Sequence, residues 1–210
     1  MADTKKLRNR IRSVDSTLHL TRAMGLVASS KIRRATLGMN RSREYTDAMN
    51  HVVDVLRASP DCAKSPYMVP RGGGTRLVVI AGDRGLAGGY NANVFKLAAA
   101  QEGAKILPIG KRACDRFGEG YLSAEHFTAA DAQEAANRLC GEFISGESSR
   151  VGILYTRYVS LMTQTPAILW VLPLERNQEK GVGGTVFEPD ERTVLDTAVP
   201  AYVGGLLDNV

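Results

Sequence analysis

Between Leu7 and Leu56, apolar and small residues recur at alternating spacings of four and three. The stripe runs Leu7, Ile11, Val14, Leu18, Thr21, Gly25, Ala28, Ile32, Ala35, Met39, Ser42, Thr46, Met49, Val53 and Leu56. A sustained period of about 3.5 residues with two positions in seven is the seam of a coiled coil. No proline interrupts it before Pro60, so one helix over residues 1–58 is expected. About 50 residues at 1.5 Å rise give a rod of about 75 Å. The ends of the stripe carry Leu, Ile and Val, whereas its middle carries Thr21, Gly25 and Ala28. Small seam residues let a partner helix approach closely, and Gly25 costs about 1 kcal/mol of helix propensity.

Beyond the stripe the period changes. Pro60, Pro66, Pro70 and the run Gly72-Gly73-Gly74 predict a linker over 59–75. Short apolar strands then alternate with helical stretches over 76–187. Leu77–Ala81 reads as a buried strand, with a glycine-rich turn and a helix from Asn91 to Gln101 behind it. Lys105–Ile109 is a second strand, followed by a helix from Lys111, and Ala129–Ile144 is helical by its alanine content and apolar spacing. Val151–Thr156 and Ala167–Leu172 complete the strands. Such alternation predicts a small α/β domain with a mainly parallel, Rossmann-like sheet. A loop with Gly181, Gly183 and Gly184 precedes a last segment, 188–210, where Pro189 opens a helix that Pro200 is expected to interrupt or restart.

Charge changes this picture once it is located. The chain of 210 residues is +5 overall. Residues 1–45 hold eleven Lys or Arg against Asp3, Asp15 and Glu44, which gives +8 and leaves −3 for the remainder. A basic arm beside a mildly acidic globule points to a negative partner for the arm. Nucleic acid is one such partner, held through phosphates. Against it, Tyr45 is the arm's one aromatic residue. A basic-zipper helix also separates its basic block from its heptads, whereas here the two overlap. The arm therefore has to satisfy an apolar partner and a polar one together.

Composition excludes several classes. With 44% hydrophobic and 23% charged residues, the chain is globular rather than disordered. No apolar run approaches the roughly 20 residues of a membrane span. The start lacks the apolar core of a secretion signal, so a cytosolic protein is expected. Cys62, Cys114 and Cys140, like His19, His51 and His126, are scattered without metal-ligand spacing, and no metal or cofactor is expected. The turn Gly82-Asp83-Arg84-Gly85-Leu86-Ala87-Gly88-Gly89-Tyr90-Asn91 invites a nucleotide-binding reading, since it joins a strand to a helix N-terminus. Its spacing matches neither phosphate-binding fingerprint, and no acidic residue stands about 20 positions on to hold a ribose. An ordered turn is the better reading, with Asp83 and Arg84 available for contacts. The stretch Glu142 to Glu147 reads as a solvated face, and no hydrolase or transferase constellation emerges.

Two stretches of the arm, Leu7–Val14 and Leu20–Ala35, resemble the opening helix of the F-type ATP synthase gamma subunit family. The Gly82–Asn91 turn resembles that family's "DRGLCGG-N" signature, with Ala87 where cysteine is usual. Pro108-Ile109-Gly110-Lys111, Tyr155–Ser160 with Thr163–Pro166, Leu172-Pro173, Glu188-Pro189, Leu195-Asp196 and Tyr202-Val203 continue the match in order.

The resemblance implies a non-catalytic rotor. Its N-terminal helix would pair antiparallel with a C-terminal helix inside a ring of three alpha and three beta subunits. The α/β domain would stand against the epsilon subunit and the membrane c-ring, without membrane insertion, on the cytoplasmic side of a bacterial inner membrane. An acidic beta-subunit loop lies near the position matched by Met24, which makes Arg22, Met24 and Lys31 contact candidates. Arg8, Arg33, Arg34, Asp83 and Arg84 complete the candidate contacts. Family members continue past Tyr202-Val203 into a second long helix. The 22 residues from Pro189 onward, about 33 Å if helical, are expected to pair with only part of the arm. A truncated paralogue, or a fragment, with an assembly or interaction role is the alternative.

Overall fold

The computed structural model describes residues 2–85, 87–160, 163–177 and 186–210, and the side chains of residues 2 and 39–42 are not described. The expected glycine loop (Gly181, Gly183, Gly184), Leu86 of the glycine-rich turn, and the seam side chains Met39 and Ser42 lie outside the described residues. Helix α1 runs unbroken from Ala2 to Ala58, through Gly25. Thr17, Thr21, Ser29 and Thr36 each satisfy their hydroxyls within the helix by donating to the carbonyl four residues back.

Packing divides the chain into two units, Met1–Tyr45 and Thr46–Val210. The division falls inside α1 because its last turns are drawn into a core, where Val53 and Leu56 are fully buried. In the first unit every described side chain is exposed.

The second unit is built on a four-stranded sheet in the order β2-β1-β3-β4. Strands β1 (Gly74–Ile80), β2 (Lys105–Ile109) and β3 (Ser148–Tyr158) are parallel, and β4 (Gln164–Leu172) returns antiparallel to β3. Side chains alternate across the strands, so the sheet has two apolar faces. One carries Val78, Leu107, Ile153 and Val171 under α4 (Ala129–Ser145), α5 (Glu191–Asn209) and the end of α1. The other carries Leu77, Val79 and Leu154 under α2 (Tyr90–Ala99). The short α3 (Lys111–Phe117) follows β2 directly.

Three expectations need correction. The segment before the sheet is not a loose linker: Cys62, Ser65 and Tyr67 are buried. Ser65 Oγ donates to Asp196 Oδ1 at 2.5 Å, and Ser59 donates to Glu191, which ties the segment to α5. Pro200 does not interrupt α5. An internal proline costs about 3 kcal/mol, but Leu195, Val199, Val203 and Leu207 form one buried stripe at four-residue spacing. Burying a side chain of this size gains about 1.5–3 kcal/mol, so the stripe outweighs the proline. Finally, Glu142 is no part of a solvated face. Its side chain is only 16% exposed and lies between Arg76 and Arg138. That pairing lets β1 begin at Gly74 and bury Arg76, where the sequence places the strand's start at Leu77.

Candidate functional site

The arm's candidates are arranged by helical geometry alone. At about 100° per residue, Arg8, Arg22 and Arg33 fall within about 40° of one another. Met24 and Lys31 lie about 20° apart on another face, and Arg34 on a third. The seam positions Thr21, Gly25, Ala28 and Ile32 run between the first two groups, roughly 90° from each. The surface is therefore an apolar strip with Arg8, Arg22 and Arg33, interspersed with Asp15 and Leu26, on one flank and Met24 and Lys31 on the other. All six candidate side chains are exposed, Met24 by 61%. A partner helix seated in the seam would leave both flanks facing outward.

The small middle of the seam, a waist at Thr21, Gly25 and Ala28, makes no demand of its own. A Cβ added at Gly25 would meet nothing within 4 Å beyond its own helix. No contact in this stretch of chain therefore requires its smallness.

In the second unit, Asp83 and Arg84 stand just beyond the carboxyl end of β1, and the structure separates their roles. The Asp83 carboxylate accepts hydrogen bonds from Lys111 N (3.1 Å), Ser123 Oγ (2.6 Å), Ala124 N (2.8 Å) and Glu125 N (3.1 Å). Partial burial would raise its pKa. The bonds from Ser123 and from the backbone of Ala124, Glu125 and Lys111 outweigh this and hold it at about 2. Donors converging at this edge of an α/β sheet are the usual means of holding a ligand phosphate. Here the chain's own carboxylate takes that place, which argues against nucleotide binding at the turn. Asp83 thus acts as an internal clamp on the loop after α3. Arg84 points outward, with its guanidinium 3.7 Å from Glu125.

The turn is fixed from both sides. Gly82 N donates to Asn91 Oδ1 at 2.9 Å, and Asn91 Nδ2 reaches the Arg84 carbonyl at 3.4 Å. Gly110, at φ +95°, brings the start of α3 against β1: a Cβ there would lie 2.0 Å from the Ala81 carbonyl oxygen. The Gly-Asp-Arg turn and the Pro108–Lys111 segment are thus one structural joint. Sequence reading singled out both and missed the third member, Ser123-Ala124-Glu125. A Ser with nearby backbone donors is the only signal it offers, and many loops share it.

The chain matches the family model described as ATP synthase over residues 3–209. It is 35% identical to the ATP synthase gamma chain of Ruminococcus albus, the match covering 99% of this chain and 79% of that one. It is 34% identical to the ATP synthase gamma chain of Moorella thermoacetica over 96% of this chain and 77% of that one. The fold is similar to a chain in the structure of the Tetrahymena thermophila mitochondrial ATP synthase central stalk and c-ring, with a TM-score of 0.66. That likeness covers 90% of both chains at 18% identity. With the long seamed helix, the mainly parallel sheet and this match over nearly the whole sequence, the chain belongs to the ATP synthase gamma chain family.

Proposed function

We propose that this chain is the central-stalk rotor of a proton-translocating F-type ATP synthase, on the cytoplasmic face of a bacterial inner membrane. The seam of α1 takes a helix, and the two flanks meet the surrounding alpha and beta subunits, three of each. Arg8, Arg22 and Arg33 offer charge to acidic partner groups on one side. Lys31, beside the uncharged Met24, does so more sparsely on the other, and Arg34 lies away from the seam. A shaft whose flanks differ presents a different surface to each of three encircling sites, which is what a rotor needs to impose three different states. The α/β unit, with Arg84 outward, meets the epsilon subunit and the c-ring. Catalysis belongs to beta and alpha, and this chain transmits torque without performing chemistry.

The observation that carries this reading is the apolar seam flanked by two unlike polar rows. Co-expression with the alpha, beta and epsilon subunits of a gamma-deficient complex tests it. Recovery in a stoichiometric complex whose ATP hydrolysis drives proton pumping is the expected result. Recovery on DNA in a salt-sensitive manner, with no alpha or beta, would overturn it.

A further inference from the structure

Helix α5 buries Leu195, Val199, Val203 and Leu207 in the core it shares with α4 and the last turns of α1. These residues stand four apart, close to one helical turn. A shift of α5 along its axis by four residues, about 6 Å, leaves three of the four places filled by Leu or Val in either direction. Apolar burial is non-directional, so the stripe alone discriminates weakly between these registers. One-turn steps of one packed element past another are an established switching motion.

The polar contacts of α5 are not degenerate in this way. Glu191 accepts from Ser59, just past the end of α1, and Asp196 Oδ1 accepts from Ser65 Oγ at 2.5 Å. Towards its other end, Asn209 Nδ2 donates to Thr46 Oγ1. Helix α5 is therefore antiparallel to the last turns of α1 and tied at both ends. A one-turn shift in one direction sets Leu195 and Pro200 where Glu191 and Asp196 stand, and in the other Arg192 takes the place of Asp196. None of the three offers a side-chain acceptor. Ser65 is fully buried, so either shift strands its hydroxyl away from water. Asp196 also stands 3.8 Å from Arg192, but that pair travels with the helix. Gln133 of α4 adds a softer stop. A Cβ at Gly204 would lie 2.8 Å from its Oε1, and a flexible amide swings aside.

We propose that the Ser59–Glu191 and Ser65–Asp196 bonds fix the register of α5 on the end of α1 and keep it from stepping by a turn under load. Isolated polar contacts in an apolar interface are the best-attested means of specifying register. Glu191 and Asp196 are positioning residues in this device. The register itself concerns the second unit alone, whereas its consequence for coupling rests on the rotor reading. Torque entering the α/β unit reaches the end of α1 through apolar packing that tolerates a one-turn step and through these bonds, which do not.

The test uses the full chain carrying Cys114→Ala. Cys62 and Cys140 are buried, and burial pushes their thiols up to about 11 and about 12, so they stay out of disulfide exchange at neutral pH. Thr46→Cys with Asn209→Cys reports the observed register, and Asn50→Cys with Asn209→Cys reports α5 displaced by one turn. The first pair should close its disulfide readily and the second slowly. Adding Ser59→Ala and Ser65→Ala should raise the second rate relative to the first about tenfold. Asp196→Asn keeps an acceptor oxygen in place and should raise it less, which preserves the test if the double serine variant fails to fold. An unchanged ratio in the folded variants would overturn the register proposal, whatever the chain assembles with. In a complex with alpha and beta subunits, the double serine variant should hydrolyse ATP but move fewer protons per ATP, a ratio that lost stability alone does not change. Undiminished pumping there would overturn the link to coupling. A shifted disulfide ratio in a chain that never enters the complex would support the register device and overturn the rotor reading.

Discussion

From Asp3 to Gly38 every side chain is exposed, and seam residues as large as Leu7, Ile11 and Val14 are more than 60% exposed. From Thr46 onward the same helix turns Val53 and Leu56 into a core. Both stretches have the same apolar period, so the period alone does not decide what a seam residue contributes. The second unit buries its seam within the chain. In the first, the described contacts are local ones along the helix, such as the hydroxyl back-bonds and the His19–Asp15 pair, and a lone helix draws little stability from propensity. The arm's apolar stripe is energy held for a partner, while the globule's is already used.

Protease sensitivity separates the two most widely. Trypsin should cut the isolated chain at the arm's cations, Lys5 to Arg43, orders of magnitude faster than within the sheet, because cleavage follows local opening. The resistant fragment should begin at Glu44 rather than after Pro70, since Cys62, Ser65 and Tyr67 are packed. N-terminal sequencing of that fragment checks the boundary. A start beyond Arg71 would mean that the tie between Ser65 and Asp196 does not hold in solution.

Truncating equivalent seam residues should give unequal costs. Leu56→Ala removes a fully buried side chain and should cost about 2–5 kcal/mol in urea unfolding of the globule. Leu18→Ala, 45% exposed, should stay within about 0.5 kcal/mol. If both substitutions cost the same, the isolated chain covers its arm in some other way and the contrast fails. Gly110→Ala brings in backbone strain instead. A Cβ 2.0 Å from the Ala81 oxygen at φ +95° should cost about 2–4 kcal/mol, read as a lower melting temperature with α1 unaffected.

How much of this was legible follows from the reach of each interaction. The arm's helix was readable because its signal repeats every three or four residues over its length. The strands and α4 were readable in type, since apolar runs and alanine spacing are local. Glu142 was not, because its partner Arg76 lies on another element and lends it no local pattern. Pro200 misled for the same reason: the stripe that carries α5 through it is stabilised by α4, not by its neighbours in sequence. Asp83 shows the limit most sharply. Its residue type and glycine-rich setting stood out, yet its donors lie 28 to 42 residues away, so contact and clamp looked alike.

The clamp has a pH signature of its own. Asp83 is held at about 2 against an ordinary value of 3.8. Its contribution is therefore fully present above about pH 4 and is lost as pH falls towards 2. Asp83→Asn should remove about 1–2 kcal/mol above pH 4 and flatten the stability profile between pH 4 and 2. Added formate should partly restore Asp83→Ala by refilling the donor nest. A variant with an unchanged acid limb would mean that the four bonds contribute nothing in solution.

The smallest effect is the most discriminating, because it should change sign between the chain alone and the assembled stalk. Gly25 sits mid-helix at φ values a helix imposes, with nothing near its missing Cβ. Gly25→Ala removes a propensity cost of about 1 kcal/mol, so the isolated arm should become more helical by far-ultraviolet circular dichroism. In a complex where a partner helix closes on the waist, the added methyl meets a packed surface, and forcing atoms into a close interface costs about 1–3 kcal/mol. The variant should then assemble less tightly than the wild type, or couple hydrolysis to pumping less well, despite its better helix. Leu26→Ala, off the seam and 76% exposed, serves as the control that alters the arm without thickening the waist. Gains in both settings would show that glycine at 25 answers to no close partner. The waist would then be an accident of sequence rather than a surface kept small for contact.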